Sequence, residues 1–502
     1  MHEKRIDWIS FATCVALILV ICIPLVAFPG RGGRMLTEAY DFITGELGIL
    51  YLLAGMACLG LLLWLACGRY AHVKLAAGDE APEFSTFSWV AMLFCGGIGA
   101  GLMYWCMIEW TYYYTAPPFG AEPRSAAAAE WASTYGMFHW GVTAWAIYCL
   151  PALAIAYPYY RRRLPWLRFS NSCNRYLRGR ELGVAGRFVD FWLIVAIVAG
   201  AGSSLAFCTP MIAACIAWLF GLEYGFWLDL AVIGLAIAIF ATSVWLGLRR
   251  GMKNLSDLTL VLGLVFLAFV FIAGPTLFLA RSSVNSLGVM FQNFIRMNSW
   301  SDPYLRSGFV ESWTVFYWAW WLSYAPFIGL FVTRISRGRT IREVIAGMLV
   351  FGSLGCWLFY MVAGNYALHL ELSAQVAVTD IVSREGIPRG IVAVLESLPL
   401  AWAAIALFTL VSLVFTATTY DAAAQALAAS LTLRLPDGVD PARWLRVFWA
   451  LAIGILPATL IYVGGLRTVQ TVIVVSSLPV LAICVVATTA LLRDLRADHP
   501  RP

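Results

Sequence analysis

Twelve long apolar runs, separated by short polar stretches, follow one another along almost the whole chain. They fall near residues 8–28, 46–67, 88–114, 135–160, 188–220, 227–249, 257–280, 312–333, 341–366, 400–432, 441–464 and 468–492. A helix needs roughly 20 predominantly apolar residues to cross a bilayer. Only 12% of the residues are charged, against about a quarter in soluble domains. The sequence therefore predicts an all-α polytopic membrane protein with twelve transmembrane helices.

The charged residues predict how the chain is oriented in the membrane. Basic residues follow the even-numbered spans: Arg161, Arg162, Arg163, Arg168, Arg175, Arg178 and Arg180 after span four, Arg249, Arg250 and Lys253 after span six, and Arg334, Arg337, Arg339 and Arg342 after span eight. Acids mark the odd-numbered loops: Glu122, Glu130, Glu223 and Asp229. Because short basic loops stay in the cytoplasm, we expect both termini to be cytoplasmic in a bacterial inner membrane. The net charge of +6 is confined to such loops and does not indicate a nucleic-acid partner.

Two further segments have the pattern of helices that do not cross the membrane. Residues 284–298 alternate apolar side chains with Asn and Arg, and residues 374–396 are similar. Such an amphipathic stripe predicts a helix that lies in the membrane interface, in contact with lipid.

Two spans carry breaks in matching positions. Span three contains the glycine-rich run Gly96–Gly101, and span eight contains Ser323–Gly329 with Pro326 inside it. Broken helices survive in a membrane only where they are buried in protein or line a cavity, and paired breaks indicate a binding site near the midplane. Since the two spans are five apart, we expect a 5+5 inverted repeat that divides the chain into residues 1–87, 88–311 and 312–502.

Aromatic side chains are concentrated in spans four and eight. Helical steps of three or four place Trp145 and Tyr148 on one face of span four, with Trp140 further round. Along span eight the rings Trp313, Tyr317, Trp320 or Trp321, and Tyr324 lie near one face. Aromatic faces attract a quaternary ammonium group by about 2 kcal/mol or more when the site is dry. An aromatic cage is the favoured interpretation, and packing between helices is the alternative.

Acidic residues are few within the apolar runs. Glu109 follows the glycine-rich break and Asp421 lies in span ten. A carboxylate inside a membrane is a candidate for function, with a hydrogen bond between helices as the alternative. We expect His139 to be a packed, hydrogen-bonded side chain rather than a proton relay.

Hydroxyl groups suggest a site for a hard cation. Thr418 and Thr419, with carbonyl groups freed around Gly97 and Ile98, could supply oxygen ligands for Na⁺, and Ser203 and Ser204 are a fainter second candidate. The alternative is that these hydroxyls bond to carbonyls of their own helices.

Several motifs resemble the betaine/choline/carnitine transporter family over nearly the whole chain. They are Gly97–Met103, Phe138–Tyr148 and the stretch from Trp313 to Glu343, which includes Ala319-Trp320-Trp321 and Arg334-Ile335-Ser336-Arg337-Gly338-Arg339. The resemblance implies a leucine-transporter-type fold of two five-helix repeats preceded by two extra helices. It also implies a homotrimer, with residues 284–298 at the trimer contact.

The resemblance also implies roles for individual residues. The substrate cage would consist of Trp140, Trp145, Tyr148, Trp320, Trp321 and Tyr324, with Trp313 as an outer or gating ring and Tyr112 as a further substrate ring. Features that resemble the carnitine/γ-butyrobetaine exchangers are Pro82–Thr86, Ile108–Tyr114, Pro117–Gly120, Tyr324 and the pair Ser256-Asp257.

Other positions resemble sodium-coupled members of the family. These are the Gly97–Gly101 run, Ile328 where exchangers have methionine, and Thr418 and Thr419 with Phe415. By the same resemblance, Lys253 falls where the exchangers use a fixed arginine cation in place of the other sodium ion. We expect sodium-coupled symport of a quaternary-ammonium compound, with sodium-independent exchange as the alternative.

Other classes of protein fit the sequence poorly. A membrane enzyme needs convergent acids, histidines or metal ligands, but the five histidines are scattered and the twelve cysteines lack metal or redox spacing. A sensor needs a soluble output domain, and a channel needs a charge ring or filter repeat. We expect a carrier with no cofactor beyond Na⁺.

Overall fold

The computed structural model describes residues 6–27, 29–76, 78–99, 101–164, 167–246, 253–433, 440–463 and 466–500. Arg249 and Arg250, two of the basic residues after span six, lie outside the described residues. Extended pairing in the described part is limited to two isolated bridges, Ile6 with Thr432 and Lys74 with Thr340. All remaining regular structure there is helical, as the apolar runs predict.

The helices are α1 (Trp8–Ala27), α2 (Pro29–Glu46), α3 (Gly48–Cys67), α4 (Thr86–Ile98), α5 (Gly101–Thr115), α6 (Ala126–His139), α7 (Val142–Arg161), α8 (Asn174–Leu177), α9 (Val184–Phe220), α10 (Phe226–Leu246), α11 (Lys253–Ala273), α12 (Thr276–Ser299), α13 (Phe316–Ile335), α14 (Ile341–Ala346), α15 (Ser353–Phe359), α16 (Asn365–Leu372), α17 (Val378–Glu385), α18 (Ile387–Glu396), α19 (Ala401–Ser430), α20 (Arg443–Val463) and α21 (Leu466–Asp498). A 3₁₀ turn covers Phe169–Cys173, and π-helical turns cover Val310–Val315, Gly347–Gly352 and Tyr360–Gly364.

The described residues contain nine helices long and apolar enough to cross a membrane, or ten if the bent pair α4 and α5 forms one span. Two further helices, α1 and α10, coincide with the first and sixth predicted spans without being among these ten. The chain is therefore a polytopic all-α membrane protein, while twelve spans and the inverted repeat stay predictions.

The break predicted in span three is confirmed. Helices α4 and α5 meet at an angle of 58°, and Gly99 between them has φ +60° and ψ −163°. That backbone conformation is essentially restricted to glycine, so the glycine-rich run permits the bend.

The break predicted in span eight is wrong. Helix α13 runs without interruption through Ser323–Gly329 and contains Pro326. Proline removes only one N–H donor from the helix. Every residue of α13 is buried, so neighbouring helices cover the position of Pro326. The irregularity of this span is instead the π-helical turn Val310–Val315 at its start.

Span four contains a break that the sequence analysis missed. Helix α6 ends at His139 and α7 begins at Val142, with Trp140 and Gly141 between them. A Cβ added at Gly141 would lie 2.6 Å from the Met137 carbonyl oxygen, which explains the glycine. The helical segment also begins at residue 126, nine residues before the predicted span.

Both predicted amphipathic segments are helical. Helix α12 begins at Thr276, earlier than predicted, and exposes Val284, Phe291 and Ile295 while Met290 is buried. Within the predicted segment 374–396, residues 378–396 form two short helices, α17 and α18, separated at Gly386, where φ is +91°. Helix α2, between the first two spans, was not predicted.

Helix α13 occupies the centre of the bundle. It packs against α7, α9 and α21, so its aromatic side chains meet other helices rather than lipid. Helix α19 packs against α9 and α4, which brings span ten next to the break between α4 and α5.

Candidate functional site

Three tryptophans from the α6–α7 junction and α13 form the middle of an aromatic cluster. The rings of Trp320 and Trp321 are stacked at 5.3 Å with an interplanar angle of 5°. The Trp140 ring meets Trp321 edge-on at 4.8 Å and Trp320 at 6.0 Å. Trp140 reaches this position because it sits at the break that ends α6.

Two tyrosines and a fourth indole, from α7 and α13, extend the cluster. The Tyr148 ring lies 5.7 Å from Trp321 and 6.4 Å from Tyr324, and Trp145 meets Tyr148 at 5.8 Å. All six side chains predicted for the cage are at most 3% exposed. The structure thus brings together Trp140, Trp145, Tyr148, Trp320, Trp321 and Tyr324, which we call the aromatic cage.

The two outer rings predicted for the site form a separate pair. Tyr112 and Trp313 are in contact at 4.8 Å. Trp105 connects Trp313 to the cage, since it lies 6.1 Å from Trp313 and 6.3 Å from Trp320. Trp105 was not predicted, and its place on α5 between the two groups depends on the bend at Gly99.

Glycines make room for the cage rings. A Cβ added at Gly97 would lie 2.9 Å from the Trp145 ring, and one at Gly352 would lie 2.3 Å from it. A Cβ added at Gly101, at the start of α5, would lie 3.5 Å from the Trp140 ring and 3.7 Å from the Trp320 ring. The broken span therefore packs directly against the aromatic cage.

Glu109 holds two rings of this region by hydrogen bonds. Its carboxylate accepts from the indole N–H of Trp140 at 3.0 Å and from the Tyr317 hydroxyl at 2.7 Å. Tyr317 stacks 5.7 Å from Trp321 and thus lines the cluster, although it was not among the site residues predicted. Its place on the Trp313–Tyr324 face of span eight was the available signal.

His139 is packed and hydrogen-bonded on both ring nitrogens. Nδ1 lies 2.9 Å from the Tyr113 hydroxyl, and Nε2 lies 3.1 Å from Thr314 Oγ1. The side chain is fully buried. These contacts agree with the expectation that His139 is a packed, hydrogen-bonded side chain.

Of the two threonines predicted to bind a cation, Thr419 lies at the break between α4 and α5. Thr418 and Thr419 both donate to the Phe415 carbonyl, at 2.7 and 3.1 Å. A Cβ added at Gly99, next to Ile98, would lie 2.1 Å from Thr419 Oγ1. Both hydroxyls thus make the bonds to their own helix that the alternative interpretation describes, while their oxygen lone pairs can still accept. The sodium site stays a prediction.

The serines predicted as a second cation site differ from each other. Ser203 donates to the Ala199 carbonyl at 2.5 Å, within its own helix. Ser204 lies against the start of α5, where a Cβ on Gly101 would be 3.2 Å from its Oγ. Only Ser204 is thereby placed at the broken span.

Lys253 lies away from these hydroxyl groups. Its ammonium forms an ion pair with Asp257 at 2.8 Å, and Asp257 also accepts from Ser88 Oγ at 3.1 Å. Within the described residues its polar contacts do not include Thr418 or Thr419. Lys253 therefore stands beside the first half of the broken span.

A cavity of about 240 Å³ adjoins the cage. It is lined by Tyr104, Ala206, Phe207, Pro210, Tyr224, Ile387, Pro388, Leu460, Ile461 and Val469. Phe207 separates it from the cage, with its ring 5.6 Å from Trp320. Burial, helped by the nearby Asp229 carboxylate, raises the pKa of Tyr224 to about 12, so this phenol is neutral at physiological pH.

A bundle of apolar helices around a buried aromatic cage at a broken span is the architecture of a membrane transporter. The family model described as "BCCT, betaine/carnitine/choline family transporter" matches residues 9–500. The chain belongs to this family. It is also similar to the uncharacterized transporter YeaV of Escherichia coli (strain K12), with 36% identity over 445 residues, covering 88% of this chain and 92% of that protein.

Proposed function

We propose that the protein is a secondary active transporter that carries small quaternary-ammonium compounds across the cytoplasmic membrane by alternating access. The candidate substrates are carnitine, γ-butyrobetaine, glycine betaine and choline. The observation that carries the proposal is the aromatic cage, whose six rings come from α7, α13 and the junction before α7. A trimethylammonium group has no N–H to donate, so aromatic faces are suitable partners for it.

Polar groups in the cage wall suit the other end of such a substrate. The Tyr148 hydroxyl and the Trp320 indole N–H are buried and have no hydrogen-bond partner within the described part of the chain. Buried donors are ordinarily paired. A carboxylate or hydroxyl on the substrate would accept these bonds, together with backbone N–H groups at the broken span.

Sodium-coupled symport is the coupling that we propose. Thr419 borders Gly99, so a cation held by Thr418, Thr419 and backbone carbonyls would stabilise the bend beside the cage. Coupling requires that the ion favours one conformation over the other. Exchange without sodium would instead rely on a fixed cation such as Lys253, which is held by Asp257.

The proposal also includes an oligomeric state and a membrane location. We propose a homotrimer in the inner membrane with both termini in the cytoplasm. The exposed apolar side chains of α12, such as Phe291 and Ile295, support a contact of this helix with lipid or with another subunit.

Uptake into proteoliposomes tests substrate and coupling together. Radiolabelled carnitine, γ-butyrobetaine, glycine betaine and choline are compared with and without a sodium gradient, and with and without internal substrate. Uptake driven by the gradient alone supports symport. Uptake that needs only internal substrate indicates exchange, and no uptake of any of the four compounds contradicts the proposed substrate class.

A further inference from the structure

Glu109 lies behind the aromatic cage and joins four parts of the fold. Oε1 accepts a hydrogen bond from the Tyr113 hydroxyl at 2.5 Å. Oε2 accepts from the Trp140 indole at 3.0 Å, from the Tyr317 hydroxyl at 2.7 Å, and from the Tyr360 hydroxyl. These donors belong to α5, the α6–α7 junction, α13 and the π-helical turn before α16.

The pattern of donors is that of an ionised carboxylate. An ionised carboxylate donates nothing and offers about two lone-pair sites on each oxygen. One of the four groups reaches Oε1 and three reach Oε2, and a carboxylate without a proton can accept from all of them. The Trp140 indole can only donate. The His139 contacts are consistent, because Nδ1–H can donate to the Tyr113 hydroxyl, which in turn donates to Oε1.

This carboxylate has no fixed cationic partner among the described residues. The Glu109 side chain is fully buried, and its nearest basic group is His139, with Nδ1 3.5 Å from Oε1. His139 uses both nitrogens in hydrogen bonds that a neutral imidazole can make. A buried charge without a counter-ion is costly, so a cation in the adjacent cage would be favoured.

We propose that Glu109 is the counter-charge and the positioning residue of the cage. It acts through Trp140 and Tyr317, which donate their polar hydrogens to it and place their rings beside Trp321. A ring whose N–H or O–H is bound to an anion gains electron density on its face, which strengthens its attraction for a cation. The negative field of the carboxylate adds to this attraction because the interior is of low dielectric.

This inference rests on the proposed function, since it assumes a quaternary ammonium in the cage. It adds that the site distinguishes a cation from a neutral group of the same shape through one buried charge. The rings of the aromatic cage alone would provide only part of the preference for a cation over a neutral group. The preference can be measured separately from overall affinity.

The experiment compares ammonium ligands with their carbon analogues on the full chain in nanodiscs. Choline is paired with 3,3-dimethylbutan-1-ol, and γ-butyrobetaine with 5,5-dimethylhexanoate. In each analogue a quaternary carbon replaces the nitrogen. The ratio of the two dissociation constants is the ammonium preference, a quantity that a purely structural role of Glu109 would leave unchanged because both ligands would weaken together.

Three variants are compared with the wild type. We expect Glu109→Gln to lower the ammonium preference about tenfold or more, since it removes the charge. Tyr317→Phe keeps the ring and breaks its bond to the carboxylate, and should lower the preference about threefold. Glu130→Gln, at an exposed carboxylate that accepts only from Asn285 in the described structure, is the matched control and should not change it.

The outcomes separate this inference from the proposed function. A wild type that binds both members of each pair equally contradicts the proposed substrate class. A wild type with a clear preference that survives in both Glu109→Gln and Tyr317→Phe overturns the role of Glu109 alone. Should Glu109→Gln fail to fold, an unchanged preference in Tyr317→Phe overturns it.

Discussion

The hydroxyl of Thr419 lies against the backbone of Gly99, so close that a Cβ on Gly99 would be 2.1 Å from Thr419 Oγ1. Real Cβ atoms do not approach other atoms this closely. The contact joins α19 to the bend between α4 and α5, and it places a hydroxyl oxygen at the point where span three is interrupted. A movement of the bend therefore changes its contact with span ten.

Gly99→Ala should abolish transport. The substitution adds the Cβ clash and forces alanine into a backbone conformation that costs on the order of 1–3 kcal/mol, so the bend or the Thr419 side chain must shift. Uptake in proteoliposomes and thermal unfolding of the purified protein measure the two effects. Gly60→Ala is the matched control, because a Cβ there meets nothing within 4 Å. Normal uptake by Gly99→Ala would contradict a role for this contact.

Trp320→Leu and Trp321→Leu should each weaken the apparent affinity for substrate about 30-fold. Leucine keeps an apolar side chain but removes the ring face, worth about 2 kcal/mol. The measurement is the KM of uptake for the substrate that the wild type transports. Trp402→Leu, at an exposed ring on α19, serves as the control. Unchanged KM values in both cage variants would remove these rings from the site.

Thr418→Val with Thr419→Val should abolish the sodium dependence of uptake. Valine has a similar shape but offers no oxygen to a cation, and the Phe415 carbonyl loses both of its hydroxyl donors. Uptake is measured as a function of sodium concentration. Thr416→Val, which removes an equivalent bond to the Ser412 carbonyl, should keep the wild-type sodium curve. A double variant with that same curve would refute the assignment.

Arg168→Ala should destabilise the protein by about 3–5 kcal/mol, because it removes the buried cation that pairs with two buried carboxylates. Arg168 is fully buried and pairs with Asp7 at 3.2 Å and Asp190 at 3.4 Å. Burial raises the pKa of Asp7, but hydrogen bonds from Ser10 and the Arg168 charge outweigh it and leave this pKa below its usual value. Thermal unfolding in detergent gives the change, with the exposed Arg384→Ala as control. An unchanged unfolding temperature for Arg168→Ala would contradict this prediction.

Features that depend on neighbouring residues could be predicted from the sequence. The apolar runs predicted helices because span length and hydropathy are local, and the Gly96–Gly101 run predicted a bend because glycine adopts the backbone angles of Gly99. Six cage rings were likewise found, since helical steps place rings of one span on one face and the family motifs supplied the rest.

The arrangement around Glu109 could not be predicted in the same way. Its four donors lie 4, 31, 208 and 251 positions away in the chain. Tyr113 is one turn away on α5 itself, but only the packing of separate helices brings Trp140, Tyr317 and Tyr360 to the carboxylate. The break at Trp140–Gly141 and the continuity of α13 through Pro326 also escaped prediction, because neighbouring helices determine both. The sequence by itself determined a helical membrane protein with a glycine-rich bend and dense aromatic faces. The tertiary structure alone decided which faces meet and which buried charge stands behind them, because those contacts join residues far apart in the chain.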